Sequence, residues 1–192
     1  MPQPKALNIP NLLTIGRIAA VPAVVACFYF EGNTFRWLAF TLFAVAAITD
    51  FLDGYLARVW HQQSALGRML DPIADKLLVS AILLMLASSG QLAGWALWAA
   101  IIILCREILV SGLREFLAEL NVSVPVTWLA KWKTTAQFVA LAILLLGPAG
   151  EIIYKDLETV GLTLLWISAV LTLYTGYDYF RVGIHHIIGD DA

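Results

Sequence analysis

Four aspartates, Asp50, Asp53, Asp71 and Asp75, lie within 26 residues of one another. Four carboxylates that share an apolar cavity cannot all stay ionised without compensation. Carboxylate oxygens suit Mg²⁺ or Mn²⁺, and two such ions would neutralise the four charges while still attracting a phosphate group. A pair of bound metal ions can activate a phosphate ester for in-line attack. The aspartates therefore predict a two-metal site for phosphoryl chemistry.

The spacing of small residues beside the aspartates favours a ligand cavity. Two sets of residues, spaced by three and four, each share one face of a helix. The sets are Asp50, Asp53, Gly54 and Ala57, and Gly67, Asp71 and Asp75. A short hairpin between the two helices would bring these faces together, and the glycines and the alanine would leave room for a ligand.

Other interpretations of the aspartates stay open at this point. They could take up protons, or they could pair with Arg58, Arg68 and Lys76. A single aspartate at a helix end is commonly a cap or an ion-pair partner. Four aspartates at these spacings, with glycines between them, favour a functional cluster over a purely structural one.

The chain as a whole has the composition of a membrane protein. Of its 192 residues, 60% are apolar and 14% are charged, whereas about a quarter are charged in an ordinary soluble domain. This excludes a cytosolic enzyme and a disordered regulator, because a soluble domain of this size needs more polar surface. The net charge of −2 provides no basic surface for a nucleic acid. We expect a single transmembrane domain over residues 1–192.

Six apolar segments approach the length of a membrane-spanning helix, which needs about 20 residues. They lie at 11–30, 37–57, 70–88, 93–115, 127–147 and 159–181. Glycine, proline, serine and asparagine punctuate the breaks between them. The sequence therefore predicts an all-α integral membrane protein with six transmembrane helices, and the aspartates fall at the joined ends of spans 2 and 3.

Basic residues concentrate on one side of this six-span arrangement. Ten lie on one side, namely Lys5, Arg17, Arg58, Arg68, Lys76, Arg106, Arg114, Lys131, Lys133 and Arg181, and two on the other, Arg36 and Lys155. Cytoplasmic loops carry the excess of lysine and arginine. Both termini and the aspartates are therefore expected on the cytoplasmic side.

The stretch from Asp50 to Asp75 reads D-x2-D-G-x2-A-R-x8-G-x3-D-x3-D. It resembles the motif of the CDP-alcohol phosphotransferase family, with every position matched. Further segments, at 8–17, 106–108, 112–115 and 131–137, are similar to bacterial members that join CDP-diacylglycerol to sn-glycerol 3-phosphate, giving phosphatidylglycerol phosphate and CMP. The resemblance implies a six-helix fold in the bacterial inner membrane, usually a homodimer among membrane lipids.

The resemblance also implies roles for the matched positions. Asp50, Asp53 and Asp71 would hold two divalent cations, Mg²⁺ or Mn²⁺. Asp75 would be a further metal ligand or the base that takes the proton of the acceptor hydroxyl. The residues expected at the cytidine nucleotide are Asp50, Gly54, Ala57, Arg58 and Gly67, with Asn11, Thr14 and Arg17 from span 1.

A phosphate-bearing acceptor would need cations of its own, and the forked guanidinium of arginine matches phosphate. Arg106 and Arg114 lie eight residues apart on span 4, so they face similar sides. Lys131 and Lys133 begin span 5 but differ by about 200° around the helix, so only one is expected to face the pocket fully. All four are predicted to bind the acceptor phosphate, and the alternative for each is an anchor to lipid headgroups.

Two alternatives to this function stay open. Another acceptor, such as inositol phosphate, serine or phosphatidylglycerol, is compatible because the aspartate motif serves the donor. A small cation-coupled transporter would also carry carboxylates inside the membrane. The aspartates cluster on one side and the chain has no internal duplication, which argues against a transporter.

Overall fold

A computed structural model of the chain describes residues 9–59, 65–120, 122 and 128–189. These residues form six α-helices and a short 3-10 helix, with no strand among them. The α-helices are α1 Ile9–Cys27, α2 Asn33–Val59, α3 Ala65–Ser88, α4 Trp95–Glu119, α5 Trp128–Leu146 and α6 Leu157–Gly189. The prediction of an all-α fold is confirmed, and each helix overlaps one of the six predicted spans.

The outer faces of several helices are apolar. Within the described residues, three helical segments are long and apolar enough to cross a membrane, at Trp95–Ala118, Lys131–Ile152 and Leu157–Arg181, and Asn11–Cys27 is a shorter apolar helix. Large side chains such as Ile108 and Val170 are exposed by 66% and 60%. Exposed apolar surface on this scale fits contact with lipid, so the chain is built as a multi-pass membrane protein.

The helices divide into two compact units, and the first holds the described residues up to Gln91 together with Ala142–Glu158. In this unit α1 packs against both α2 and α3. Buried apolar side chains from the three helices, including Val24, Phe43 and Ile82, form its core. Because α2 and α3 carry the aspartate motif and α1 packs against both, side chains of α1 can reach aspartates of either helix.

A polar contact far from the aspartates ties the first unit together. Gln91 donates from Nε2 to the carbonyl of Leu144 at 3.1 Å and accepts at Oε1 from Nη1 of Arg36 at 2.6 Å. Gly147 lies beside this amide with a φ of +48°, and a Cβ there would stand 2.6 Å from Gln91 Nε2. Position 147 therefore requires glycine for both its backbone conformation and its lack of a side chain.

The second unit holds the described residues of Leu92–Leu141 and those from Thr159 onward. It consists of α4, most of α5 and most of α6. Its apolar core includes Ala99, Ile103, Leu141 and Leu165, each at most 1% exposed. Polar and charged side chains from all three helices are also buried in this unit, and several of them form a cluster of their own.

Candidate functional site

The first site is a group of acidic side chains on α2 and α3 that meet polar side chains of α1. We call Asp50, Asp71 and Asp75, with Thr14 and Arg17, the carboxylate cluster. Asp71 and Asp75 are one helical turn apart on α3, so they project from the same face, and Asp50 comes from the neighbouring α2. Three of the four predicted aspartates are thereby brought together by two different helices.

Two side chains of α1 contact the three aspartates of the carboxylate cluster. Nη1 of Arg17 lies 2.5 Å from Oδ1 of Asp50 and donates to Oδ1 of Asp75 at 3.0 Å. The hydroxyl of Thr14 donates to Oδ1 of Asp71 at 2.6 Å. One guanidinium thus bridges carboxylates of α2 and α3, while a hydroxyl one turn away holds the third.

Within this cluster the arginine is buried and the carboxylates are partly exposed. The side chain of Arg17 is 1% exposed, whereas those of Asp50 and Asp75 are 34% and 42% exposed. The three carboxylates outnumber the single guanidinium, so these four side chains carry a formal charge of −2 when ionised. A buried cation behind half-exposed carboxylates presents negative charge at an accessible surface, which attracts cations.

The structure describes the surroundings of only some of the other residues that were predicted at the donor site. Asn11 and Gly67 are buried in the first unit. The side chains of Asp53, Ala57 and Arg58, together with Gly54, lie outside the part of the chain that the structure describes in detail. Their predicted roles at the metals and at the nucleotide stay predictions.

The donor chemistry of the cluster suits a hard divalent cation, since carboxylate oxygens are what Mg²⁺ and Mn²⁺ prefer. Among the side chains that the structure describes, no three His, Cys, Asp or Glu residues form a group that could hold a metal ion. The side chain of Asp53 is not among those described, and Arg17 contacts both Asp50 and Asp75. The two-metal site is therefore compatible with the residue types and stays a prediction.

The second site is a group of buried basic side chains in the second unit. We call Arg106 and Lys133, with Glu107, Thr172 and Thr175, the cation cluster. Arg106 on α4 donates from Nε to the carbonyl of Thr172 at 3.1 Å and from Nη2 to the hydroxyl of Thr175 at 3.0 Å, both on α6. Its Nη1 lies 3.4 Å from Oε1 of Glu107. Arg106 is thus held by two helices.

The same carboxylate oxygen of Glu107 also pairs with Nζ of Lys133 on α5. Lys133 is 5% exposed, and Arg106 is 9% exposed. Two buried cations therefore share one counter-charge, and the cation cluster carries a formal charge of +1. Charged side chains in membrane helices are costly and usually mark function, and the excess positive charge of this pair suits an anion.

The four predicted acceptor residues differ in their surroundings. Arg106 and Lys133 are buried in the cation cluster, whereas Arg114 and Lys131 are exposed. Lys131 and Lys133 therefore lie on different faces of α5, because two positions along a helix correspond to a rotation of about 200°. Exposure at Arg114 and Lys131 suits the alternative that these residues anchor to lipid headgroups.

Sequence reasoning did not identify Thr172 and Thr175 as partners of Arg106. The two threonines lie three residues apart in an otherwise apolar helix, with Ser168 preceding them on a similar face. All three are at most 1% exposed. Small polar residues at helical spacing inside a membrane span were the available signal, because such residues commonly hydrogen-bond to a neighbouring helix.

Comparisons with known proteins cover almost the whole chain. A family model described as CDP-alcohol phosphatidyltransferase matches residues 7–174, a range that contains the four aspartates, Arg106 and Lys133. A Rickettsia bellii protein named CDP-diacylglycerol–glycerol-3-phosphate 3-phosphatidyltransferase is 52% identical over 175 residues, which are 91% of this chain and 94% of that protein. Proteins of the same name from Cereibacter sphaeroides and Shigella flexneri are 42% and 44% identical, over 94% and 90% of this chain and 97% and 92% of their own lengths.

Proposed function

Because the chain belongs to the CDP-alcohol phosphatidyltransferase family, we propose that it transfers a phosphatidyl group from CDP-diacylglycerol to sn-glycerol 3-phosphate. The products are phosphatidylglycerol phosphate and CMP, and the reaction belongs to phospholipid synthesis. Relatives at 42–52% identity over most of the chain carry the name of this reaction. The observation that carries the proposal is that Arg17 and Thr14 of α1 contact Asp50, Asp71 and Asp75 in the first unit.

The aspartates are assigned to the donor end of the reaction. Asp50, Asp53 and Asp71 would hold two divalent cations, Mg²⁺ or Mn²⁺. When bound, such cations bind the pyrophosphate of the donor and stabilise the charge that develops on its oxygens. Residues assigned to the nucleotide remain Asn11, Thr14, Arg17, Asp50, Gly54, Ala57, Arg58 and Gly67.

Asp75 is assigned to proton transfer. Its carboxylate, 42% exposed, is accessible to a substrate hydroxyl. Asp75 would take the proton of the glycerol 3-phosphate hydroxyl as that oxygen attacks the phosphorus that bears diacylglycerol. The bond from this phosphorus to the CMP oxygen breaks, and CMP leaves with the electron pair. Asp75 would also be a further metal ligand.

The cation cluster is assigned to the phosphate of the acceptor. Arg106 and Lys133 present two buried cations with a single counter-charge, and an incoming phosphate dianion supplies the missing negative charge. Arg114 and Lys131, both exposed, would attract the acceptor over a longer distance. Serine brings a single carboxylate together with an ammonium group, whereas a phosphate brings two negative charges, which favours sn-glycerol 3-phosphate over serine.

The distribution of charge along the sequence supports a location for the reaction. We place the protein in the bacterial inner membrane, with both termini and the carboxylate cluster on the cytoplasmic side, because the basic residues concentrate there. The chain would act as a single transmembrane domain over residues 1–192, and as a homodimer among membrane lipids. The water-soluble acceptor would enter from the cytoplasm and the lipid donor from the bilayer.

The experiment that tests this function measures CMP release by purified protein in detergent with CDP-diacylglycerol and Mg²⁺ or Mn²⁺. Glycerol 3-phosphate, inositol phosphate, serine and phosphatidylglycerol are offered separately. Of the four acceptors, we expect only glycerol 3-phosphate to support CMP release. We expect the Asp75→Asn variant to release no CMP with this acceptor. CMP release with a different alcohol would contradict glycerol 3-phosphate as the acceptor and would identify that alcohol in its place. No release with any acceptor would contradict the transferase function and favour cation transport.

A further inference from the structure

The polar residues of α1 all turn towards the inside of the first unit. Asn11, Thr14 and Arg17 are at most 2% exposed, whereas Leu12 and Ile15 between them are 59% and 40% exposed. A spacing of three residues keeps the polar side chains on one face of the helix. An apolar helix that turns its polar side chains inward uses them on a neighbouring helix.

We propose that Thr14 and Arg17 are positioning residues for the aspartates, a role distinct from the nucleotide contact that the family resemblance implies for them. The inference rests on the proposed function, since it assigns the aspartates to divalent cations. Polar contacts of the two side chains run to Asp71, Asp50 and Asp75. In this arrangement α1 sets the orientation of carboxylates that belong to α2 and α3.

Thr14 fixes the plane of one carboxylate. A free aspartate side chain rotates about its terminal bond, so its two oxygens point in no fixed direction. The 2.6 Å hydrogen bond from Thr14 Oγ1 engages Oδ1 of Asp71 and sets the direction in which Oδ2 points. Hydrogen bonds of this kind to metal-binding carboxylates commonly change metal affinity by about 10- to 100-fold.

Arg17 holds carboxylates from two helices at one nitrogen atom. Asp50 and Asp75 would repel each other if both were ionised and near one another. The buried Nη1 of Arg17 contacts both, so it keeps them together while no other cation is bound. Its charge lies behind the carboxylates and leaves their more exposed sides accessible.

The test for Thr14 uses Mn²⁺ alone as the ligand, measured by calorimetry with full-length protein in detergent. Thr14→Val keeps the shape of the side chain and removes the hydroxyl, Thr14→Ser restores the hydroxyl, and Thr49→Val is the matched control. Thr49 lies beside Asp50, but its hydroxyl donates to the carbonyls of Val45 and Ala46 in its own helix.

We expect Thr14→Val to weaken Mn²⁺ binding by about 10- to 100-fold, and Thr14→Ser and Thr49→Val to bind as the wild type does. Wild-type affinity in Thr14→Val would overturn the positioning role while leaving the transferase function intact. A wild-type protein that releases CMP but binds no Mn²⁺ would overturn both the metal assignment and this inference. A wild-type protein that binds Mn²⁺ but releases no CMP would overturn the proposed reaction alone.

The test for Arg17 uses thermal unfolding in EDTA, where no divalent cation competes. We expect Arg17→Gln to lower the unfolding midpoint by several degrees, because two carboxylates lose their shared counter-charge. Adding Asp50→Asn to that variant should recover part of the loss. Losses that simply add in the double variant would show that the two side chains are not coupled and would overturn the role of Arg17.

Discussion

The two polar clusters share one arrangement with opposite charges: a single charged side chain pairs with two side chains of the other sign. In the carboxylate cluster, one buried arginine bridges two aspartates, and a hydroxyl holds a third. In the cation cluster, one glutamate bridges an arginine and a lysine, and a hydroxyl again holds the arginine. Each cluster therefore contains more of one charge than of the other.

This difference in net charge supports the ligands proposed for the two clusters. A fully balanced network inside apolar helices would need no ligand, because every buried charge would already be compensated. The carboxylate cluster keeps an excess of negative charge and would bind cations, whereas the cation cluster keeps an excess of positive charge and would bind a phosphate. In each cluster the bridging residue, Arg17 or Glu107, contacts both of the like charges that it joins.

The largest effect is expected from removing a carboxylate. Asp71→Asn should lower the rate of CMP release by about a thousandfold, since a loss of several kcal/mol of charge stabilisation has this effect. Asp156→Asn, at an exposed position of the first unit, is the control and should leave the rate unchanged. Equal rates in the two variants would contradict the assignment of Asp71 to the site.

The next effect concerns the bridge in the cation cluster. Glu107→Gln leaves Arg106 and Lys133 without their shared counter-charge, so the free energy of unfolding should fall by about 1–3 kcal/mol. Thermal or denaturant unfolding in detergent measures this, with exposed Glu115→Gln on the same helix as the control. Addition of inorganic phosphate should restore part of the lost stability, and a variant as stable as the wild type would mean that Glu107 does not bridge the cations.

A smaller effect is expected from crowding Arg106. A Cβ at Gly176 would stand 3.2 Å from Cγ and 3.5 Å from Nε of Arg106, so Arg106 has to shift in Gly176→Ala. We expect the KM for glycerol 3-phosphate to rise by about three- to tenfold, because small displacements of binding groups weaken binding and rate. Gly112→Ala on α4 meets open space and should keep the wild-type KM; a rise in both variants would point to a general effect of alanine.

The smallest effect separates the exposed lysine from the buried one. Lys131→Gln should change the KM for glycerol 3-phosphate by less than about twofold, and added salt should remove that change, since exposed charges act weakly. Lys133→Gln should raise the KM far more, because it removes a buried cation of the cluster. A larger effect at Lys131 than at Lys133 would reverse the assignment of the two lysines.

Much of the fold could be predicted from local sequence. The six helices follow from the lengths of the apolar segments, because a helix in lipid satisfies its own backbone hydrogen bonds. The shared face of Asp71 and Asp75 follows from their spacing of four residues, and the different faces of Lys131 and Lys133 follow from their spacing of two. Such statements depend only on the geometry of one helix.

Local sequence is thus enough to predict the helices and to reveal the aspartate motif and the basic residues. Helix packing, in contrast, is what brings Arg17 to Asp50 and Asp75, Thr14 to Asp71, and Glu107 to both Arg106 and Lys133. The pairs that join different helices lie between 26 and 58 positions apart, whereas Arg106 and Glu107 are adjacent in the chain. Helical periodicity fixes which face a side chain occupies, but only the packing of one helix against another determines which side chain it meets.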